Sequence, residues 1–424
     1  MLRRVRIDAV QRGGRSGPVA DVLADASAIV ADVQDRGIAA VVEYGRTFGE
    51  VERAEDVLID SGRLRRSLED LDSQSVGVLE RVADRIAKFA RAQRDMYRDV
   101  GAPVPGGMAG HTVEPVESAG CYAPGGRYPL PSSVLMTAVT ARAAGVERVI
   151  VASPRPTPAM LAAAAIAGAD AYMAVGGAHA VAALAYGLDG FEPVDVIAGP
   201  GNAWVTAAKQ LVSGRVGIDM LAGPSELLII ADASADAATI AADLLAQAEH
   251  DADASAMLVT TSASLADAVD QELSVQIEQL PSAATARQGL ANGFCCVVDS
   301  IEQAIDVADT VAPEHLEVCT ADAQAVAARV RHAGGVFVGE ASAEVFGDYG
   351  FGPNHTLPTG GTARYMGGLS VAHFLRLRTW LRIDEPEAAG EAMEDAVALA
   401  RMEGLEGHAR SALRRLRRVA PPPA

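Results

Sequence analysis

Three stretches of the 424-residue chain carry side chains suited to metal binding or proton transfer. In Gln247-Ala-Glu-His250 the amide and the imidazole stand at i and i+3 of a predicted helix, so they project as neighbours. Gln247 lies one turn beyond Leu244, on the face predicted to be buried, and polar groups there need partners. A bound cation is one solution, and a partly exposed polar helix end is the other. In Ala312-Pro-Glu-His-Leu-Glu317, Glu314 and His315 offer one substrate two proton-transfer groups with different pKa values. Adjacent residues of a strand point apart, so the pair works only if Pro313 places it in a turn; a plain surface turn is the alternative. In the glycine-rich Phe346-Gly-Asp-Tyr-Gly-Phe-Gly-Pro-Asn-His355, Asp348 and His355 together favour a site. His111, His332 and His373 have no comparable surroundings.

Glycine-containing junctions form a second class of signal. Gly176-Gly-Ala-His179, Gly199-Pro-Gly-Asn202 and Gly223-Pro-Ser-Glu226 are predicted to join strands to helices, with backbone N–H groups open to a ligand at the carboxyl ends of the strands. Each alone is equally a tight turn; three in one sheet point to a binding crevice. No GxGxxG follows any predicted strand, so the standard dinucleotide fingerprint is absent.

The elements that must position these residues are legible from hydrophobic periodicity. Residues 19–33 and 75–97 read as helices in a mainly helical first ~115 residues, and the Gly/Pro-rich run 100–110 marks a boundary. Beyond Cys121, strands predicted over 148–152, 171–175, 194–198, 227–231 and 256–260 alternate with helices over about 158–166, 177–186, 203–211 and 237–249. That rhythm means parallel βαβ units and an α/β fold. The last ~55 residues read as a linker and helix with a basic end, Leu413-Arg-Arg-Leu-Arg-Arg-Val419, suited to a helix C-terminus.

Composition excludes several functions. Lys and Arg total 36 against 55 Asp and Glu, a net charge of −19, which argues against nucleic acid and against an anionic membrane surface. Half the residues are hydrophobic, enough for a large core, and the length suits two to four domains. The four cysteines include no CxxC pair, and Cys295-Cys296 reads as part of a buried strand. The N-terminus shows no apolar core of signal-peptide length, and the apolar run 159–178 is broken by Gly168, Asp170, Gly176 and Gly177. A cytoplasmic protein is expected.

Taken in order, Gly120-Cys-Tyr-Ala-Pro-Gly-Gly126, Pro131-Ser-Ser133, Gly176-Gly-Ala, Gly199-Pro-Gly-Asn202, Ile218-Asp, Ala222-Gly-Pro-Ser-Glu226, Gln247-Ala-Glu-His250, Glu314-His-Leu, Gly347-Asp, Asn354-His-x-Leu-Pro358, Gly368-Leu-Ser and Glu403-Gly-Leu-x-x-His408 resemble the histidinol dehydrogenases. The resemblance runs from about residue 20 to about 415. It implies a zinc enzyme that oxidises L-histidinol to L-histidinal and then L-histidine, reducing two NAD in turn. By the same carry-over, Gln247, His250, Asp348 and His408 hold zinc, and Glu314 and His315 are the catalytic pair. Ser225, His355 and Glu403 line the substrate pocket together with Gln247, His250, His315, Asp348 and His408, and Tyr122, His179 and Asn202 contact NAD. The implied architecture is two incomplete Rossmann-like domains with parallel sheets: an arm over 1–20, a discontinuous domain over 21–118 and 232–368, an NAD-binding domain over 119–231, and a helical tail over 369–424. The family is a homodimer in which this tail is swapped, so that Glu403 and His408 complete the other subunit's site.

Two departures stand out. His179 replaces the glutamine that the family commonly places at an NAD contact, and Phe351 and Pro353 add bulk before Asn354. Parts of the motif set also resemble the sulfopropanediol dehydrogenases, which keep the zinc and Glu-His residues but oxidise a sulfonated diol; Ser225-Glu226 favours the histidinol branch. A catalytically silent homologue acting as a binding protein is a third reading. The intact set Gln247, His250, Glu314, His315, Asp348 and His408 counts against it.

Overall fold

The computed structural model describes residues 2–12, 20–125 and 128–419. Residues 13–19 of the expected arm, Gly126 of the first motif and Pro421-Pro-Pro423 lie outside them. The chain divides into two units: Met1–Arg94 with Val116–Phe374, and Asp95–Pro115 with Leu375–Ala424.

The first unit contains two six-stranded sheets among its described residues. In one, the strands lie in the order Leu58–Asp60, Ala171–Met173, Arg148–Ala152, Ser118–Tyr122, Val196–Ala198, Gly217–Ile218. All neighbours are parallel except Leu58–Asp60, which runs antiparallel to Ala171–Met173. Ser118–Tyr122 is buried along its whole length, as a central strand covered on both faces must be. Chain order reverses on either side of it, which opens a crevice beyond its carboxyl end.

The second sheet is parallel throughout, in the order Arg3–Val5, Phe294–Val297, Ser255–Thr260, Glu226–Ala231, His315–Cys319, Gly335–Val338. Alternation along Glu226–Ala231 divides the core in two. Leu227, Ile229 and Ala231 pack with Ile240, Ala241, Leu244 and Ala248 of the helix Ala237–Glu249. Leu228 and Ile230 pack with Ala304, Val307 and Ala308 of the helix Ile301–Val311 on the opposite face. The predicted βαβ rhythm is therefore present. One junction is not as expected: Gly223-Pro-Ser-Glu226 leads into the strand Glu226–Ala231 rather than into a helix. The apolar run that follows it is short and continuous, which suits a buried strand. Ser225 and Glu226 consequently stand at the amino end of this sheet.

The second unit differs from the expected linker and helices. Val100–Val104 and Gly107–Pro115 form a hairpin, and Leu375–Ile383 is a strand antiparallel to Gly107–Pro115. Leu375-Arg-Leu-Arg-Thr-Trp-Leu-Arg-Ile383 alternates apolar and polar residues with strand period, but its partner is the glycine-rich run 107–115. Trp380 lies across Gly110, where a Cβ would come within 2.7 Å of the indole. The helices Gly390–Met402 and Glu406–Val419 complete this unit.

All four cysteines are buried and free, with Cys295 and Cys296 on the strand Phe294–Val297. Among the described residues no helix is long and apolar enough to cross a membrane.

One buried ion pair shapes the crevice. Lys209 and Asp219 are 2% and 3% exposed, and they grip the Gly199 peptide from both sides. Lys209 Nζ donates to the Gly199 carbonyl at 2.9 Å, and the Gly199 N–H donates to Asp219 at 2.7 Å. Gly199 has φ 123°, and a Cβ there would sit 1.9 Å from the Tyr122 carbonyl oxygen, so only glycine permits this close approach. Lys209→Met should destabilise the first unit by ~3–5 kcal/mol, because it leaves a buried carboxylate without its counter-charge. Denaturant unfolding measures this; an unchanged midpoint would contradict it.

Candidate active site

The helix Ile301–Val311 ends at Ala312, one of two described non-glycine residues with positive φ, at 53°. That left-handed turn, with Pro313 after it, sets Glu314 just ahead of the strand His315–Cys319. The turn that the Glu-His pair requires is thus present, and it is built on a residue that pays ~1–2 kcal/mol to adopt it. Glu314 Oε2 accepts hydrogen bonds from Ser225 Oγ at 2.7 Å and from the Glu226 N–H at 2.9 Å. Burial nevertheless raises the Glu314 carboxyl above the usual carboxylate range. His315 Nδ1 lies 3.1 Å from the Glu226 carbonyl oxygen, an acceptor only. This assigns the proton to Nδ1 and leaves Nε2 as the basic nitrogen. Burial opposes charge on this imidazole, but the carboxylates of Glu314, Glu344 and Asp348 outweigh it and raise its pKa. Burial and the neighbouring Glu314 push the Glu226 carboxyl up to about 7.

Beside this pair lies a group of metal-capable side chains. His250 caps the helix Ala237–Glu249, one helical turn from Gln247. His250 Nε2 is 3.3 Å from Asp348 Oδ2. Asp348 Oδ1 is 3.5 Å from His355 Nδ1, whose ring is oriented by Ser133 Oγ at 3.1 Å from Nε2. Burial works against charge on Asp348, yet contacts with His250 and His355 hold its carboxyl well below the usual range. Ligand atoms of His250, Glu344 and Asp348 all lie within 4.8 Å of one another. Gln247 is fully buried, and among the described residues neither its amide oxygen nor its nitrogen has a hydrogen-bond partner. Buried amides are otherwise paired, so an orphaned one beside an imidazole and carboxylates fits a bound cation.

Tyr122, His179 and Asn202 line one cavity with Ser225, His250 and Asp348, and its volume is about 1870 Å³. A pocket for a drug-sized ligand is ~300–1,000 Å³, so this one has room for a substrate and a larger second molecule. Glu314 and His315 are not among its lining residues, and Glu314 meets that lining at Ser225. The junction Gly176-Gly177 does not offer free amides as expected. The Gly176 N–H donates to Glu50 at 3.1 Å and the Gly177 N–H to Tyr122 Oη at 3.1 Å. Glu50 also holds His179 Nε2 at 2.9 Å, and the imidazole stacks on Phe48 with ring centroids 5.7 Å apart. Asn202 Oδ1 caps the helix Ala203–Val212 by accepting from the Trp204 and Val205 N–H groups. Phe351 stacks on Phe346 at 4.6 Å and is not among the cavity's lining residues. Glu403 and His408 belong to the second unit, at the end of one helix and in the first turn of the next.

Glu344 is the member of this His/Glu/Asp group that the sequence reading did not name. Its spacing from Asp348 (i, i+4) on the short helix Glu344–Asp348 was the available signal.

A family model described as histidinol dehydrogenase matches residues 15–416. A histidinol dehydrogenase of Cereibacter sphaeroides is 45% identical over 406 residues, covering 94% of this chain and 93% of its own. One of Thermus thermophilus is 48% identical over 350 residues, covering 82% and 84%. The chain belongs to the histidinol dehydrogenase family. The crystal structure of histidinol dehydrogenase from Elizabethkingia anophelis superposes with TM-score 0.91 at 30% identity, covering 99% of this chain and 98% of that one. Membership makes the chain an oxidoreductase with the α/β fold of that family.

If the Gln247 amide exists to face a ligand, it is a burden when that ligand is absent. Gln247→Met should leave the chelator-treated histidinol dehydrogenase homologue as stable as its parent, or up to ~1–3 kcal/mol more stable, because an unsatisfied buried group is removed. Unfolding in urea with a chelator measures it, and a large loss of stability would show that the amide has a structural role.

Proposed function

We propose that the chain is a zinc-dependent, NAD-linked dehydrogenase that oxidises L-histidinol through L-histidinal to L-histidine. The observation that carries this reading is His315, with Nδ1 committed to the Glu226 carbonyl and Nε2 left as a base, beside Glu314 and the His250–Asp348 pair. The names of the relatives supply the substrate. Gln247, His250 and Asp348, with His408, would hold zinc, which when bound orients an imidazole-bearing amino alcohol and polarises its oxygen. NAD would bind along Tyr122, His179 and Asn202, and it accepts the hydride of each oxidation.

The remaining chemistry falls to the chain's own residues. In the first oxidation His315 Nε2 accepts the hydroxyl proton of the alcohol. In the second, Glu314 accepts a proton from the water that attacks the aldehyde. Its raised pKa, caused by burial, moves it towards the working range of a general base. Ser225 orients that carboxylate through its 2.7 Å hydrogen bond. Retaining the aldehyde between the steps is the reason for one site to perform both.

The reading includes a homodimer whose Glu403 and His408 complete the site of the other subunit, supported by the family resemblance. Mixing His408→Ala with Glu314→Gln subunits should then restore up to about half of the parent activity, since a two-fold dimer has two equivalent sites and only one is rebuilt. Mixed dimers of verified mass that stay inactive would contradict the exchange.

Glu314→Gln should separate the half-reactions. NADH formation from L-histidinal should fall by ~10²–10⁴-fold, while the alcohol step, which relies on His315, falls much less. Equal losses with both substrates would remove this division of labour, and faster turnover of sulfopropanediol than of L-histidinol would move the chain to the other branch.

A further inference from the structure

Glu344 is 1% exposed, and among the described residues neither of its carboxylate oxygens has a hydrogen-bond partner. A carboxylate taken out of water without a donor is costly unless a cation balances it. The nearest imidazoles do not satisfy it. His250 Nε2 is 3.9 Å from Glu344 Oε1, and His315 Nδ1, at 3.8 Å, already donates to the Glu226 carbonyl. Its backbone, by contrast, is firmly placed: the Glu344 N–H donates to Glu317 Oε1 at 2.6 Å. The unpaired oxygens face His250 and Asp348, and the helices Ala237–Glu249 and Glu344–Asp348 pack together.

The spacing of His250 and Asp348 matches a tetrahedral coordination sphere, and Glu344 stands slightly outside it. Two ligands each ~2.0–2.1 Å from a tetrahedral metal stand ~3.3 Å apart. His250 Nε2 and Asp348 Oδ2 are 3.3 Å apart, and Glu344 Oε1 is 3.9 Å from the same His250 nitrogen. Gln247, the other orphaned buried side chain of this group, lies one turn along the helix from His250. Charge balances as well, since the two carboxylates of Asp348 and Glu344 neutralise a divalent cation.

We propose that Glu344 is a metal ligand of the substrate-free enzyme, in addition to the ligand set that the family resemblance implies. The inference rests on the reading that a divalent metal sits at His250 and Asp348. Glu344 then joins Gln247, His250 and Asp348 of the same unit, beside the His408 that the resemblance implies.

Zinc(II) titration by calorimetry of the metal-free full-length protein, without substrate, tests it. Glu344→Gln should bind zinc at least ~100-fold more weakly than the parent, beyond the ~10–100-fold typical of an indirect partner. Glu340→Gln, the loss of an exposed acid, should leave the affinity unchanged. Cobalt(II) provides a second readout: Glu344→Asp, which keeps the charge but shortens the reach, should alter the visible bands of the bound ion. Should Glu344→Gln fail to fold, the Glu344→Asp spectrum decides alone. Parent-like zinc affinity in Glu344→Gln, or parent-like cobalt bands in Glu344→Asp, would overturn the assignment and leave Glu344 as a counter-charge for His315. A parent protein that takes up neither metal would instead overturn the metal site itself, and the ligand assignment with it.

Discussion

Glu226 and Glu314 at the start of two adjacent strands, Glu317 within one of them, and Glu344 and Asp348 on a short helix are largely removed from bulk water, and the cost of that removal organises the site. Each carboxylate there must be hydrogen-bonded, protonated or matched by a cation. Glu314 takes the first course, through Ser225 and the Glu226 N–H. Glu226 and Glu317 show the second tendency, since burial pushes both upward. Asp348 draws on two imidazoles, and Glu344 has only the longer approaches of His250 and His315, at 3.9 and 3.8 Å, with no hydrogen bond among the described residues. The result is a site whose imidazoles are surrounded by carboxylates, and in which His250, Glu344 and Asp348 could hold a metal ion.

The position of this chemistry departs from the usual rule for parallel sheets. Ligands commonly sit beyond the carboxyl ends of the strands. The first sheet places Tyr122 at that end of its central strand and Asn202 after the next. The second sheet presents Ser225, Glu226, Glu314 and His315 where two adjacent strands begin. One cavity is lined by Tyr122 and Asn202 from the first set and by Ser225 from the second, and Ser225 in turn donates to Glu314.

Much of this was legible in the sequence, for identifiable reasons. The helix over 237–249 and the burial of Gln247 follow from apolar spacing, because Leu244 and Gln247 must share a face. The Glu314-His315 turn was readable only as a condition on Pro313; Ala312's left-handed conformation, which completes it, has no sequence signature of the kind glycine provides. Glu344 carried only the weak signal of its i, i+4 spacing from Asp348, because a glutamate opening a short helix also reads as a first-turn acid that suits the dipole. The clamp of Glu50 on His179 joins residues 129 apart, beyond any local pattern. The strand Leu375–Ile383 alternates correctly, but its partner Gly107–Pro115 is too rich in glycine to declare itself.

The central claim is that the orphaned amide and carboxylates exist to hold one divalent metal beside His315. Anomalous diffraction at the zinc edge, from crystals of the full chain grown with zinc, tests it most directly. The account predicts one strong peak per chain ~2.0–2.2 Å from His250 Nε2 and from an Asp348 carboxylate oxygen. No peak there, or zinc bound only at other sites, would contradict it.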